Sequence, residues 1–220
     1  MIVCSLSEVE TYGRRAARGA GMPWGLAEEA GKASRWLAER GLPGVELLLR
    51  LLTANDGRAY STMAPVIDGK QWRAAVGELC PICSGAALSD RIDVLARGEE
   101  ICLDALAFPL LLAPFLDPSR GSQDASYELS WPDVRLSIFA DGIALICDKK
   151  SAHLSERADE VNVSLGTNRS AHPSHHPRIS GIETPLSVWR AMDALAKRTY
   201  VPASEESRAR GAGAGRTDND

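Results

Sequence analysis

Apolar side chains recur at Leu6, Val9, Tyr12 and Ala16, a spacing that puts them on one face of a helix. Ser5 and Glu8 form a capping-box pair at its start, and the glycines of "RGAG" predict its stop near Gly19. Pro23 in "MPWG" opens a second helix at a position where no amide is needed. Leu26, Ala30, Ala33 and Leu37 form its apolar face, and Gly41 ends it. Val45, Leu48, Leu49 and Leu52 predict a third, short helix, so the chain up to Leu52 reads as helical hairpins.

Two stretches, "DGKQWRAAVGEL" and "SDRIDVLARGEE", carry weaker helical patterns. The apolar run from Ile101 to Leu116 reads as a buried helix broken at Pro109 and Pro114. Beyond it the period changes to two: Val134, Leu136 and Ile138 alternate with Arg135, Ser137 and Phe139. Pro132-Asp133 and Asp141-Gly142 mark tight turns, the second because glycine accepts the positive φ of a type I′ hairpin. "VNVSL" adds a further strand. "GTNRSAHPSHHPRISG" is a polar loop, and Thr184-Pro185 opens a last helix with Leu186, Trp189, Met192 and Leu195 on one face. Helices, then strands, then one helix predict an α+β fold. Its parts are N-terminal helical hairpins, a central antiparallel β-meander of about four strands, and a C-terminal helix with a Gly-rich tail. Residues 1–200 are expected to form a single domain, with 201–220 as the Gly-rich segment.

Composition narrows the function classes. The chain has 220 residues, 45% of them hydrophobic and only 5% aromatic, enough for a core packed mainly by Ala, Leu and Val. Its net charge is −4 and its basic residues are dispersed, which argues against nucleic acid as a partner. The N-terminus carries no basic n-region, and the run from Ile101 is too short and too interrupted to span a bilayer. Five scattered cysteines lack the look of a disulfide framework. A cytoplasmic protein without a membrane partner is expected.

Cys80-Pro-Ile-Cys83 is the most conspicuous chemical motif. A C-x-x-C pair is redox-active where it follows a strand and opens a helix, but the preceding "WRAAVGEL" reads as helical. The pair also resembles half a zinc site, with His172, His175 and His176 as the outside candidates for the other half. That spacing matches no standard arrangement, so neither a metal nor a cofactor is expected. The alternative reading is small buried cysteines and a solvated His-Pro loop. No nucleophile elbow, Walker loop, dinucleotide fingerprint or H-E-x-x-H occurs.

The pentapeptide "ARGAG" occurs at Ala17 to Gly21 and again at Ala209 to Gly213. At the first copy Gly19 and Gly21 lead into a helix N-terminus, with Arg14, Arg15 and Arg18 just upstream and Trp24 just after. Amides of such a turn and a guanidinium fork suit a carboxylate or phosphate. The plainer reading is a C-cap glycine followed by an interhelical turn. At the other end, Tyr200, Ser204, Ser207 and Arg208 precede Gly211, Gly213 and Gly215, a mixture of directed donors and permissive backbone. Tyr200 is expected to pack on the body, and part of Ser204 to Gly215 to lie near Gly19 to Trp24. A disordered tail is the competing reading.

Three stretches, "ARGAGMPWGLAEEAGKASRWL", "CPICSGAALSD" and "RTYVPASEESRARGAGAGRTDND", resemble in order an uncharacterised bacterial family, domain of unknown function 3726. The resemblance implies a bacterial protein whose tail belongs to it, and it brings no catalytic residue. Three functions compete. The first is an accessory component of a metabolic enzyme system, which binds a small anionic metabolite or docks its tail on a partner enzyme or a second copy. The second is a self-sufficient enzyme for a small carboxylate or phosphate. The third is a metal- or thiol-dependent protein built on Cys80 and Cys83. The missing catalytic templates favour the first.

Overall fold

The computed structural model describes residues 1–120, 125–149, 151–166 and 179–200. A short strand β1 (Ile2–Ser5) leads into α1 (Leu6–Gly19). The capping box forms as expected: the Ser5 amide donates to Glu8 Oε2 at 2.8 Å, and the Glu8 amide donates to Ser5 Oγ at 3.3 Å. Then come α2 (Trp24–Glu39), α3 (Gly44–Ala54) and the single turn α4 (Tyr60–Met63). Pro23 is the N-cap of α2 rather than its first residue. Ala30, Ala33 and Leu37 of α2 and Val45, Leu48 and Leu52 of α3 are buried on the predicted faces.

The chain then forms β2 (Pro65–Asp68), β3 (Gln71–Ala74), α5 (Pro81–Ser89), α6 (Ile92–Ala96) and β4 (Ile101–Ala107). Two expectations are corrected here. "DGKQWRAAVGEL" is not helical: Asp68 pairs with Gln71 across a two-residue turn in which Gly69 takes a φ of +56°, and Trp72 points into the core. The run from Ile101 is not one broken helix. Ile101 and Leu103 face inward while Cys102 and Asp104 face outward, the alternation of a half-buried strand. Phe108, with a φ of +41°, then turns the chain into a 3-10 segment, Pro109–Leu116, buried along its whole length. Pro114 has no amide for a longer helical ladder.

The expected strands follow as β5 (Tyr127–Trp131), β6 (Val134–Phe139), β7 (Gly142–Cys147) and β8 (Arg157–Leu165). The first three pair antiparallel in succession, whereas β8 returns to the free side of β5. Together with the earlier strands they build a seven-stranded sheet of order β2-β3-β4-β8-β5-β6-β7, in which only the β3–β4 pair is parallel. Val134, Leu136 and Ile138 are all buried on the core face, as their alternation predicts. Asp133 turns the β5–β6 hairpin with a φ of +64°. The next turn falls at Ala140-Asp141, one residue earlier than expected, because Gly142 already pairs with Phe139. β9 (Gly181–Thr184) pairs with β1, and α7 (Leu186–Lys197) closes the described chain against α1. The fold is α+β, with the 3-10 segment wedged between α2, α5 and the sheet.

Candidate functional site

The end of α1, the start of α2 and the end of α7 enclose a cavity of about 410 Å³, lined by Arg14, Arg15, Arg18, Gly19, Gly21, Trp24, Arg198 and Thr199. The first six are the residues singled out around the first "RGAG". Arg14, Arg15 and Arg18 ring the last turns of α1, since positions one, three and four apart share one end of a helix.

The turn itself follows the plainer reading. Ala20 caps α1, the Gly21 amide donates to the Arg18 carbonyl at 3.0 Å, and the Met22 amide donates to Ala17 at 3.0 Å. This is a Schellman motif, and Gly21 supplies its left-handed residue with a φ of +87°. Its amides are therefore engaged within the cap. Gly19 has a different job: a Cβ there would lie 1.8 Å from the Leu195 carbonyl oxygen, so its absence lets α7 lie against α1. The donors this cavity offers are therefore side chains, not the glycine backbone.

The four arginines are not equivalent. Arg198 gives its Nη1 to both Asp56 carboxylate oxygens at 2.8 Å. Arg18 donates Nη1 to the Met22 carbonyl, and its guanidinium carbon sits 4.6 Å from the centroid of the Trp24 ring. Its Nε is buried without a hydrogen-bond partner among the described residues. Arg14 and Arg15 are exposed and have no ion-pair or hydrogen-bond partner among the described residues. Trp24 is 65% exposed, unusual for a side chain of its size. Arg198 and Thr199 escaped the reading of the sequence, because only the packing of α7 on α1 brings them to the rim.

Tyr200, the last described residue, is 52% exposed, so the expected packing on the body is not seen. Ser204, Ser207, Arg208, Gly211, Gly213 and Gly215 lie outside the described residues, as do His172, His175 and His176.

Cys80 and Cys83 are buried, and the context denied them by the sequence reading is present. β3 precedes them, Cys80 is the N-cap of α5, Pro81 is its first residue, and Cys83 lies one turn in. A hydrogen bond from the Cys83 thiol holds the Cys80 thiol below the usual range, against the opposing effect of burial. The same contact, with burial, pushes Cys83 far up. Among the described residues no group of three His, Cys, Asp or Glu side chains is arranged to hold a metal.

A larger hollow of about 630 Å³ lies over the outer face of the sheet, between Ser130, Trp131, Arg135, Glu160 and Asn162. Its one lining cation among the described residues is already paired, since Arg135 meets Glu128 at 3.1 Å, and Asp133 meets Lys149 at 2.7 Å. The arginine cavity, with two cations unmatched among the described residues, is the better candidate.

Residues 4–80 match the model of a protein family of unknown function, DUF3726. The matched stretch runs from the last half of β1 through Cys80 and so includes Arg14, Arg15, Arg18, Gly19, Gly21 and Trp24, while Cys83, Arg198 and Thr199 lie beyond it. No curated protein matches the chain. Among the described residues no helix is long and apolar enough to cross a membrane.

Proposed function

We propose that the protein is a noncatalytic binder of a small carboxylate or phosphate, held in the cavity between α1, α2 and α7. The observation that carries this reading is the pair of guanidinium groups, Arg14 and Arg15, unmatched among the described residues, in a cavity that Arg18 also lines. Guanidinium groups meet such oxyanions bidentately, and hydrogen bonds to a charged partner are the stronger kind. Among the described residues the lining offers no carboxylate, imidazole or thiol to move a proton, which favours binding over chemistry. The one hydroxyl among its described lining residues, on Thr199, donates at 2.8 Å to the Ala196 carbonyl. The exposed Trp24 face suits a ligand with a flat or apolar portion beside its charge.

Inorganic phosphate and citrate, titrated separately while indole fluorescence and thermal stability are followed, test this reading. Saturable quenching that weakens with salt is expected for at least one of them. The double variant Arg14→Gln, Arg15→Gln should lose about tenfold or more in affinity. A chain ending at Val201 separates a cavity that works alone from one that needs the terminal segment. If neither anion binds, or the double variant binds as well as the wild type, the reading is wrong.

A further inference from the structure

The dithiol at the start of α5 is independent of the arginine cavity, and its surroundings show more construction than packing requires. The segment before it is fixed at two points. Leu79 donates its amide to the Ala105 carbonyl at 2.8 Å and accepts from the Ala107 amide at 3.1 Å, a one-residue parallel bridge to β4. The Cys80 amide donates to the Met63 carbonyl at 3.0 Å, which anchors the cysteine to α4. Ala105 adopts a φ of +45° to present that carbonyl, and Phe108 one of +41°. Two non-glycine residues in the left-handed region within four positions are a strain that clusters at functional sites.

Three further groups act electrostatically on or beside the sulfurs. The amides of Ile82 and Cys83, the free donors of the first turn of α5, favour charge on Cys80. Arg58, which bonds Asn55 Oδ1 at 3.0 Å, adds a positive charge in the same sense. Tyr60, one turn before Met63, is more than nine-tenths buried, and its phenol has no hydrogen-bond partner among the described residues. Burial and the two nearby sulfurs push its proton loss well above the ordinary phenol range, so it stays a donor. A buried unmatched donor beside a thiol pair is costly unless something visits it.

We propose that Cys80 and Cys83 are a peroxide-reactive dithiol that closes into a disulfide. Their positions, N-cap and one turn into the helix, bring the two Cα atoms to about 5–6 Å, within the range a disulfide spans. The Cys80 thiolate attacks one oxygen of hydrogen peroxide. The O–O bond breaks, and the departing hydroxide takes a proton to become water, leaving a sulfenic acid on Cys80. Cys83 then attacks the Cys80 sulfur, the S–O bond breaks, the second oxygen leaves as water, and the S–S bond forms. Two thiols and one peroxide become one disulfide and two waters, so the cysteines are oxidised and the peroxide reduced. Burial sets the selectivity. Cys80 is 1% and Cys83 6% exposed, which shuts out bulky disulfides while an oxidant close to the size of water needs only a small local opening.

The test is a limited titration of the full chain with hydrogen peroxide, followed by denaturation, alkylation and peptide mapping. A Cys80–Cys83 peptide lighter by two hydrogens is expected before Cys102 or Cys147 is lost, although both of these are more exposed. A bulky aromatic disulfide should show the reverse order. In Cys83→Ser, the sulfenic acid cannot be resolved, and dimedone should label Cys80. The proposal is overturned if Cys80 and Cys83 are still alkylated after peroxide has consumed Cys102 and Cys147. It is equally overturned if Cys80 in the Cys83→Ser protein takes no label.

Discussion

Trp36 donates its Nε1 proton to Asp117 Oδ2 at 2.6 Å, joining α2 to the end of the buried 3-10 segment. Arg40 completes the arrangement, with its guanidinium 3.7 Å from the Trp36 ring centroid and its Nη2 3.6 Å from the same carboxylate oxygen. The Arg40 and Asp117 side chains are only 7% and 8% exposed, so each charge depends on its neighbours for the solvation that water would give. Asp117→Ala should cost about 3 kcal/mol, since it leaves a buried guanidinium with weaker compensation and an indole without its acceptor. Asp117→Asn, which keeps an acceptor, should cost clearly less. Urea unfolding of both variants checks this, and equal losses would point to packing rather than charge.

Gly19 is expected to be intolerant of any side chain. The contact that a Cβ would make is with backbone, the Leu195 carbonyl, which cannot turn aside as a side chain can. Gly19→Ala should therefore destabilise by about 1–3 kcal/mol despite the better helix propensity of alanine. Gly25→Ala is the control, because a Cβ there meets nothing within 4 Å. A Gly19→Ala protein as stable as wild type would show that α7 does not lie where it is described.

Helices α1, α2, α3 and α7 were legible because their signals are local: a capping box, a proline and a terminal glycine each act within one turn. The first four strands were not. Trp72, Ala75 and Val76 fall at helical spacing, and the Asp68-Gly69 hairpin signal before them was outweighed. That one misreading also hid the strand-to-helix setting of Cys80. The α1 half of the arginine cavity could be named from "RGAG" and its upstream arginines. Its other half, Arg198 and Thr199, depends on how α7 packs through Gly19 and Leu195, a tertiary contact that no local pattern announces.

The start of α1 should respond to pH through Glu8. Hydrogen bonds from the Ser5 amide first, and then the Ser5 hydroxyl, hold the Glu8 carboxyl below its usual range. A carboxyl whose folded pKa is depressed adds stability above its unfolded pKa and loses it as pH falls through the folded value. Glu8→Gln should therefore lower Tm at neutral pH, with the gap to wild type closing in acid. Ser5→Ala, which removes the N-cap acceptor, should cost about 1 kcal/mol at neutral pH. A Glu8→Gln deficit that persists unchanged into acid would mean that charge is not its source.

Ala105 offers a test of the strain around the dithiol. Its φ of +45° is one that glycine adopts freely and alanine does not, and two neighbours hold it there. Its carbonyl accepts from Leu79, and its flanking residues Asp104 and Leu106 stay in register with Glu160 and Ala158 of β8. Glycine removes the steric cost at this angle but adds freedom to the unfolded chain, and the first effect is the larger, about 1 kcal/mol. Ala105→Gly should therefore leave the protein as stable as wild type or slightly more so, whereas Ala107→Gly, at an ordinary strand angle and buried, should destabilise it. The two variants measured together by thermal unfolding separate strain from a general intolerance of glycine in β4. If both lose stability alike, Ala105 is not strained, and the case for a constrained Cys80 loses one of its supports.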